Sequence, residues 1–370
     1  MPWALRLVVP AASALLAVLA AEVVLAVFFP VPYATEFNMY FEPDSYTGYR
    51  LKPYGKGFFQ NGIPADANRY GQRSSEVSLP KPPGTLRLLV LGDSFTVGAN
   101  VEEREAYPQV LEQLLRRRLG PRVEVVNCGV GGWQPFQYAE YYEHYGRPFG
   151  PDAVLVGFFV GNDTFDPSAS VEQMPTAVLG RRVSRQEASR PLVGLKVLAY
   201  THSHLARLIL GKRYVTLDFR RRDGRDFTAQ YLEIQRSRMS NHLRLDPGRR
   251  RDALNAVLQV TRIKRLADEA SVPVFVVLIP DEIQINEDLQ ARLFAGGGGA
   301  YDLDMPQKML KALFGEHGIP TIDLLPAFRR DPRCLYMNDT HWTPEGHALA
   351  AASIAEELAP RLEVPGDPGP

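Results

Sequence analysis

Short apolar runs that end in glycine or polar residues recur along the chain, and they predict the strands of a buried sheet. The first lies at 86–98, LRLLVLGDSFTVG, where five of the first six residues are apolar before the chain turns at Gly-Asp-Ser. Comparable runs follow at 123–127, 153–160 and 272–279, with a short one at 320–323. Continuous apolar runs of this length are typical of parallel strands that are covered on both faces.

Amphipathic segments separate these runs and predict helices, which lie at 102–118, 134–145, 252–270, 305–317 and 344–362. Alternation of strands and helices indicates a parallel sheet with right-handed crossovers. We therefore predict a three-layer α/β/α domain over residues 85–362, with a central parallel sheet of the flavodoxin-like kind. Ligands and catalytic groups in such sheets gather at the carboxyl ends of the strands.

The first 30 residues have a different pattern, which predicts a membrane anchor. Residues 7–29 are a 23-residue apolar run with Glu22 as its only formal charge, and such a run is long enough to cross a hydrocarbon core of about 30 Å. The run continues past Ala20 and Ala21, which favours an uncleaved transmembrane helix over a cleaved signal peptide. Arg6 lies on the short side, so we expect an inner-membrane protein whose catalytic body is extracytoplasmic or periplasmic.

Three further segments lack a regular period. We expect residues 31–84 to form an irregular lead-in, and 164–251 to be an insertion, because it is much longer than an ordinary α/β connection. One helix is predicted inside the insertion, at 193–210, and residues 363–370 are predicted to be a disordered tail. The four-glycine stretch at 296–299 is expected to be flexible by composition.

Charge is balanced over the whole chain but not along it. The 42 basic and 42 acidic residues give no indication of nucleic-acid binding, whereas the segment 181–251 holds 18 Lys or Arg against 6 Asp or Glu. Within it, the run Arg220, Arg221 and Arg222 has three alternative interpretations. The first is a solvated surface, the second is a cationic rim that attracts an anionic substrate, and the third is a patch that faces acidic lipids.

Four groups of polar or glycine residues follow predicted strands and carry the candidate chemistry. Ser94 follows the first strand, the turn NCGVGG ending at Gly132 follows the second, Asn162 follows the third, and Asp339 and His341 stand ahead of the last helix. Acyl transfer through a serine needs a nucleophile, a base, a group that orients the base, and donors for the oxyanion. These five residues supply one set of those roles.

In this order, the four blocks resemble those of the SGNH (GDSL-type) hydrolases, and the resemblance covers about residues 85–360 without the insertion. It implies that Ser94 is the nucleophile and also an oxyanion donor through its backbone N–H. It further implies oxyanion donors at Gly132 and Asn162, a base at His341, and no requirement for a metal or an organic cofactor.

The last block departs from the family pattern. The usual aspartate stands three residues before the histidine, where this chain has Asn338, and the carboxylate is Asp339, two residues before His341. We take Asp339 as the orienting group, because an imidazolium is stabilised better by a charge. The string DTHW resembles the alginate O-acetylation proteins, in which it precedes the serine, so hydrolysis and acyl transfer both stay open.

Other candidate residues are interpreted as structural. His202 and His204 are two residues apart on a predicted helix, so they point to different faces and do not suit one metal ion. His347 lies at the start of the last helix, and Asp93 and Asp163 are expected to brace the turns that hold Ser94 and Asn162.

The two cysteines leave one question open. Cys128 lies in the second block and Cys334 five residues before Asp339. In an extracytoplasmic body they could join two active-site loops as a disulfide, and the alternative is a pair of free thiols.

Together these patterns predict a membrane-anchored serine esterase that hydrolyses the O-acyl ester of a glycan or a lipid. One alternative is an O-acyltransferase that acts on an extracytoplasmic polysaccharide. The other is a catalytically silent module that binds a glycan. The sequence gives no indication of the oligomeric state.

Overall fold

The computed structural model describes residues 3–29, 40–59, 61–164, 170–210, 227–243, 247–294 and 301–362. Its centre is a five-stranded parallel sheet in the order β4-β3-β5-β8-β9, and two antiparallel hairpins, β1–β2 and β6–β7, lie outside it. The strands are β1 (Phe41–Asp44), β2 (Gly48–Leu51), β3 (Leu86–Leu91), β4 (Val123–Asn127), β5 (Ala153–Phe159), β6 (Thr176–Val178), β7 (Arg181–Val183), β8 (Val274–Ile279) and β9 (Thr321–Asp323).

Helices cover both faces of the sheet. The α-helices are α1 (Trp3–Phe28), α2 (Ser94–Val97), α3 (Tyr107–Leu119), α4 (Pro135–Tyr141), α5 (Arg185–Ala188), α6 (Val193–His202), α7 (His204–Leu210), α8 (Ala229–Arg238), α9 (Pro247–Asp268), α10 (Glu287–Leu293), α11 (Met305–Glu316), α12 (Leu325–Arg330) and α13 (Pro344–Leu358). Short 3₁₀ turns lie at Glu103–Glu105, Arg147–Phe149, Met239–His242, Glu282–Gln284 and Ala359–Arg361, and a π-helical turn at Tyr142–Gly146 extends α4.

Alternate side chains of each strand enter two separate cores. Leu89 and Leu91 of β3 pack into the core formed with α4, α9 and α11. Leu88 and Val90 of the same strand pack into the core formed with α3, α12 and α13. This arrangement follows from the period of two in a strand, because a strand that is apolar at every position has two faces to bury. The predicted three-layer α/β/α class is confirmed.

The two irregular segments hold more structure than the sequence predicts. The lead-in contains the β1–β2 hairpin, whose Tyr49 and Leu51 are buried in the core beside α4. The insertion contains the β6–β7 hairpin, and the single helix expected at 193–210 breaks at Ser203 into α6 and α7. Strands of three or four residues are too short to show a clear alternation, so these hairpins gave no sequence signal. The glycine stretch at 296–299 and the tail at 363–370 lie outside the described residues.

Helix α1 is apolar along its length. Its segment Val8–Phe28 is long enough to cross a membrane, with a mean hydropathy of 2.4 and none of it buried against the protein. A membrane span and a signal sequence share these properties.

Candidate active site

Ser94 lies just after the carboxyl end of β3, which runs between β4 and β5 in the sheet. β3 ends at Leu91, and Gly92 and Asp93 turn the chain into α2, whose first residue is Ser94. The Asp93 carboxylate accepts a hydrogen bond of 2.9 Å from the backbone N–H of Phe95 and so caps the helix. A Cβ at Gly92 would lie 2.0 Å from Oγ1 of Thr96, so this turn requires a glycine.

His341 joins Ser94 to Asp339 through its two ring nitrogens. Nε2 lies 2.8 Å from the Ser94 hydroxyl, and Nδ1 lies 2.8 Å from Oδ2 of Asp339. An ionised carboxylate only accepts hydrogen bonds, so Nδ1 carries the proton and the Nε2 lone pair faces the serine O–H. This arrangement supplies a nucleophile, a base and a group that orients the base.

A tight turn at 337–341 brings the carboxylate back to the ring. The N–H of Met337 donates to the carbonyl of His341 at 2.7 Å, and Thr340 adopts a left-handed φ of 74°. Asp339 therefore accepts a hydrogen bond of 3.2 Å from the backbone of His341 in addition to its contact with the ring. Asn338 has a buried side-chain oxygen that finds no hydrogen-bond partner among the described residues. The residue that contacts the imidazole is thus Asp339.

Asn100 is a site residue that the sequence analysis missed. Its amide donates to the same Oδ2 of Asp339 that faces His341, across 239 positions of sequence. Burial by itself raises the pKa of Asp339, but the contacts with His341 and Asn100 outweigh burial and hold the pKa below its usual value. The carboxylate therefore stays charged beside the imidazole. The sequence offers little sign of this role. The one local feature of Asn100 is its left-handed φ of 63°, a conformation that many asparagines in loops adopt.

Asn162 follows β5 and is directed towards the turn that holds Ser94. Its amide donates to Oδ2 of Asp93 at 3.2 Å. Next to it, Asp163 accepts hydrogen bonds from the N–H of Phe159 at 2.8 Å and the hydroxyl of Tyr138 at 3.0 Å. The two acids therefore have the bracing contacts that the sequence analysis expected. Burial raises the pKa of both Asp93 and Asp163.

Gly132 ends the turn after β4, where its backbone conformation favours a glycine and Arg182 approaches closely. Its φ of 76° lies in the left-handed region, and a Cβ there would lie 1.7 Å from Nη1 of Arg182. Arg182 comes from β7, so the insertion reaches the second block. The hydroxyl of Tyr49 in the lead-in donates to the carbonyl of Gly131 at 3.0 Å and helps to hold the same turn.

A second arginine of the insertion, Arg238 at the end of α8, reaches the histidine loop. Its guanidinium donates to Oγ1 of Thr340 at 3.1 Å, forms an ion pair of 3.4 Å with buried Asp281, and lies over the ring of Phe159. Thr340 stands between Asp339 and His341 in the chain. The insertion therefore contacts the site from two directions, at the glycine turn and at the histidine loop.

The lead-in also supports the site. Arg73 is fully buried, and its guanidinium donates to the carbonyls of Val97, Gly98 and Val101, all within 3.0 Å. These carbonyls follow α2, so Arg73 fixes the segment between Ser94 and Asn100. Burial lowers the pKa of Arg73 to about 10, which still leaves it charged at neutral pH.

Among the remaining candidates, Cys128 and Cys334 are free thiols, so the possible disulfide is not formed. Cys128 is buried and contacts the amide of Gln72 at 3.2 Å. His347 is buried and accepts a hydrogen bond from the N–H of Tyr107, in agreement with a structural role. Within the described ranges, no cluster of His, Cys, Asp or Glu could hold a metal ion. The run at 220–222 lies outside those ranges.

The family of this chain is indicated by comparison with known proteins. The model of the GDSL-like lipase/acylhydrolase family matches residues 90–349, which include all five candidate residues from Ser94 to His341. The chain belongs to this family. Membership makes it a hydrolase that acts on ester bonds, and the resemblance of its sequence to the SGNH (GDSL-type) hydrolases is confirmed. A search of the curated proteins finds no match to this chain.

Several solved structures are similar to this chain at low sequence identity and low TM-score. A lipase/acylhydrolase from Enterococcus faecalis is 17% identical, with 76% of this chain and 98% of that chain covered and a TM-score of 0.37. TesA is 11% identical (75% and 99% covered, TM-score 0.40), and the acetyl xylan esterase AlAXEase is 14% identical (74% and 100% covered, TM-score 0.39).

Proposed function

We propose that this GDSL-family protein is a membrane-anchored serine esterase in which Ser94, His341 and Asp339 are the catalytic triad. The observation that carries the proposal is the unbroken chain of contacts from the Ser94 hydroxyl through both ring nitrogens of His341 to the Asp339 carboxylate, each of 2.8 Å. Distances of this size allow proton transfer without rearrangement.

In the first half of the reaction, Oγ of Ser94 attacks the carbonyl carbon of the ester while Nε2 of His341 takes the serine proton. The tetrahedral intermediate collapses when His341 returns that proton to the leaving alcohol, which leaves an acyl group on Ser94. In the second half, His341 removes a proton from water as the water oxygen attacks the acyl carbon. The second tetrahedral intermediate then breaks its bond to Oγ, His341 returns the proton to Ser94, and the acid is released. Asp339 stabilises the imidazolium in both halves and stays ionised.

The backbone N–H groups of Ser94 and Gly132 and the side-chain amide of Asn162 are the proposed oxyanion donors. Asp93 supports this assignment, because it holds one N–H of the Asn162 amide while its backbone leads directly into Ser94. The close approach of Arg182 to Gly132 adds positive charge beside the same turn. Such preorganised donors stabilise the charge that develops in the transition state.

The proposed substrate is the O-acyl ester of a glycan or a lipid at the surface of the membrane that α1 anchors. The length and hydropathy of α1 support the anchor. The basic excess of the insertion supports a substrate that carries carboxylate or phosphate groups, because two of its arginines, Arg182 and Arg238, contact elements of the site. Placement of the catalytic body outside the inner membrane is part of the same proposal.

Covalent labelling with a fluorophosphonate tests the triad. The wild-type protein is expected to be labelled on Ser94, with labelling abolished in Ser94→Ala and strongly slowed in His341→Ala. Thr96→Ala is the matched control, because Thr96 is a buried hydroxyl two residues away whose partner is the hydroxyl of Tyr107. Labelling of Ser94→Ala at the wild-type rate would refute the serine mechanism.

A further inference from the structure

Glu22, the one charged residue in the apolar segment Val8–Phe28 of α1, has its partners in the insertion. Its carboxylate accepts hydrogen bonds from Oγ of Ser203 at 2.7 Å, from the N–H of His204 at 2.5 Å and from the N–H of Leu205 at 3.0 Å. These donors form the start of α7. The carboxylate thus caps α7 from a different helix, 181 to 183 residues away in sequence.

The other polar groups of the turn between α6 and α7 are also paired within the protein. Oγ of Ser203 accepts from the N–H of Ala206, and the N–H of Ser203 donates to the last turn of α6. Arg207 donates to two further carbonyls there, those of Tyr200 at 3.0 Å and Thr201 at 2.8 Å. A turn that satisfies its backbone internally has the property required of any segment within hydrocarbon.

The outer faces of α6 and α7 are apolar. Four large side chains there are between 49% and 69% exposed, namely Leu195, Leu198, Leu208 and Ile209, and Leu192, directly before α6, is 75% exposed. Helix α1 packs against α7, and the leucines and valines of α1 are exposed to a similar degree. Lys196, the lysine of α6, is already paired with Glu187 at 2.5 Å. Clusters of exposed large apolar side chains mark interaction sites on proteins.

We propose that residues 193–210, the α6–α7 hairpin, enter the lipid bilayer beside α1, in the leaflet at the C-terminal end of α1. The inference rests on the proposed membrane anchor. Glu22 lies six residues before the end of α1 at Phe28, which corresponds to a depth of about 9 Å at 1.5 Å per residue. Helices that lie in the interface of a bilayer are buried to a similar depth.

The hairpin would give the protein a second contact with the membrane, close to the catalytic edge. The strand β7, whose Arg182 lies against Gly132, ends ten residues before α6 begins. A bilayer that holds α6 and α7 therefore also holds the segment that borders the site. The expected partner is lipid, because α1 already lies against α7 and each hydrogen-bonding group of the turn named above has a partner in the protein.

Site-specific fluorescence in vesicles tests this proposal on the full-length protein. Single cysteines that carry an environment-sensitive dye are introduced by Leu208→Cys in the hairpin, Leu16→Cys in α1 and Leu258→Cys in α9. The background is Cys334→Ser, with buried Cys128 retained. Leu258 is the matched control, since it is a leucine of the catalytic body that is 44% exposed, compared with 59% for Leu208.

Quenching by spin-labelled phosphatidylcholine is expected at positions 208 and 16 and not at 258. Quenching at 16 without quenching at 208 would overturn the hairpin proposal and leave the anchor intact. This conclusion would hold even if position 208 were shielded from water-soluble quenchers, because a protein partner would then cover it instead of lipid. The absence of quenching at 16 would instead refute the anchor.

A second variant tests the role of Glu22 itself. Glu22→Leu keeps α1 apolar but removes the cap of α7, so the hairpin should loosen while the anchor stays in place. Labelling of a cysteine at 208 by a water-soluble maleimide is then expected to become about tenfold faster, because three hydrogen bonds that hold the hairpin to α1 are lost. Glu22→Gln, which retains one accepting oxygen, should have a smaller effect. Equal labelling rates in wild type and Glu22→Leu would show that the contact does not hold the hairpin.

Discussion

The replacement of Asp339 by asparagine is the sharpest test of the active-site geometry. All three groups around this carboxylate donate hydrogen bonds to it, namely the ring Nδ1–H of His341, the backbone N–H of His341 and the amide of Asn100. An asparagine has one accepting oxygen, so at least one of these donors would meet an N–H group. Asp339→Asn therefore loses the charge and also disturbs the orientation of the imidazole.

The expected size of the effect follows from the charge pair. Two unit charges about 4 Å apart interact by about 4 kcal/mol at an effective dielectric constant of about 20. Loss of that interaction with the imidazolium corresponds to roughly 10³-fold in rate, at 1.36 kcal/mol per factor of ten. A misoriented imidazole adds to the loss, so we expect kcat to fall by about 10³- to 10⁴-fold.

The assay is the hydrolysis of a small neutral aryl ester, with the thermal midpoint of each variant measured beside it. Asn338→Ala is the matched control, because Asn338 is the neighbour in the usual aspartate position of the family and its side-chain oxygen makes no hydrogen bond among the described residues. Its kcat is expected to stay within about threefold of wild type. A folded Asp339→Asn variant that retains a tenth of the wild-type kcat, or an equal loss in Asn338→Ala, would refute the assignment of Asp339.

Four other outcomes are expected. Asn162→Ala should lower kcat by about 10²- to 10³-fold with little change in KM, as for a lost oxyanion donor, and a change confined to KM would contradict this role. Replacing the arginines at 220–222 by serine should raise KM for an anionic ester severalfold, and added salt should do the same to wild type. Equal effects of that replacement on a neutral ester would exclude a cationic rim. When the protein hydrolyses an activated acetyl ester, the amount of free acetate should be the same with and without a polysaccharide acceptor. An O-acyltransferase would instead transfer the acetyl group to the polysaccharide. Burial lowers the pKa of His347 to about 3. As the pH falls below about 6.5, the histidine therefore takes up a proton in the unfolded chain but not in the folded protein. The free energy of unfolding should then decline by up to about 1.4 kcal/mol per pH unit. His347→Gln should melt at a lower temperature at pH 7, but its stability should decline less steeply between pH 6.5 and 4 than that of the wild type. Equal slopes of stability against pH for the two proteins, measured by calorimetry, would contradict this prediction.

The central sheet and the order of the site blocks were predictable from the sequence. The apolar run at 86–91 became β3, and the expected strands at 153–160 and 272–279 became β5 and β8 with ends shifted by at most two residues. These features are local, since a strand buried on both faces must be apolar at nearly every position. The glycines of the turns after these strands also have local causes, because Gly132 has a left-handed φ and Gly92 lies against Thr96, four residues further along the chain.

Contacts between distant side chains depended on the tertiary structure. The contact between His341 and Asp339 instead of Asn338 depends on the left-handed φ of Thr340, and that of Asn100 with Asp339 depends on the packing of the loop after α2. Neither residue type announces these contacts, because asparagine and threonine occur in many exposed turns.

The insertion and the anchor make the same distinction clear. Composition was enough to identify a basic insertion and an apolar run at 7–29 with one charge. That Arg238 reaches Thr340, 102 positions away, and that Glu22 caps α7, follow only from how the helices pack. The physical reason is that the apolar pattern of a segment reports which face it buries, while the partner of a polar group is set by the few atoms that packing brings within about 3 Å.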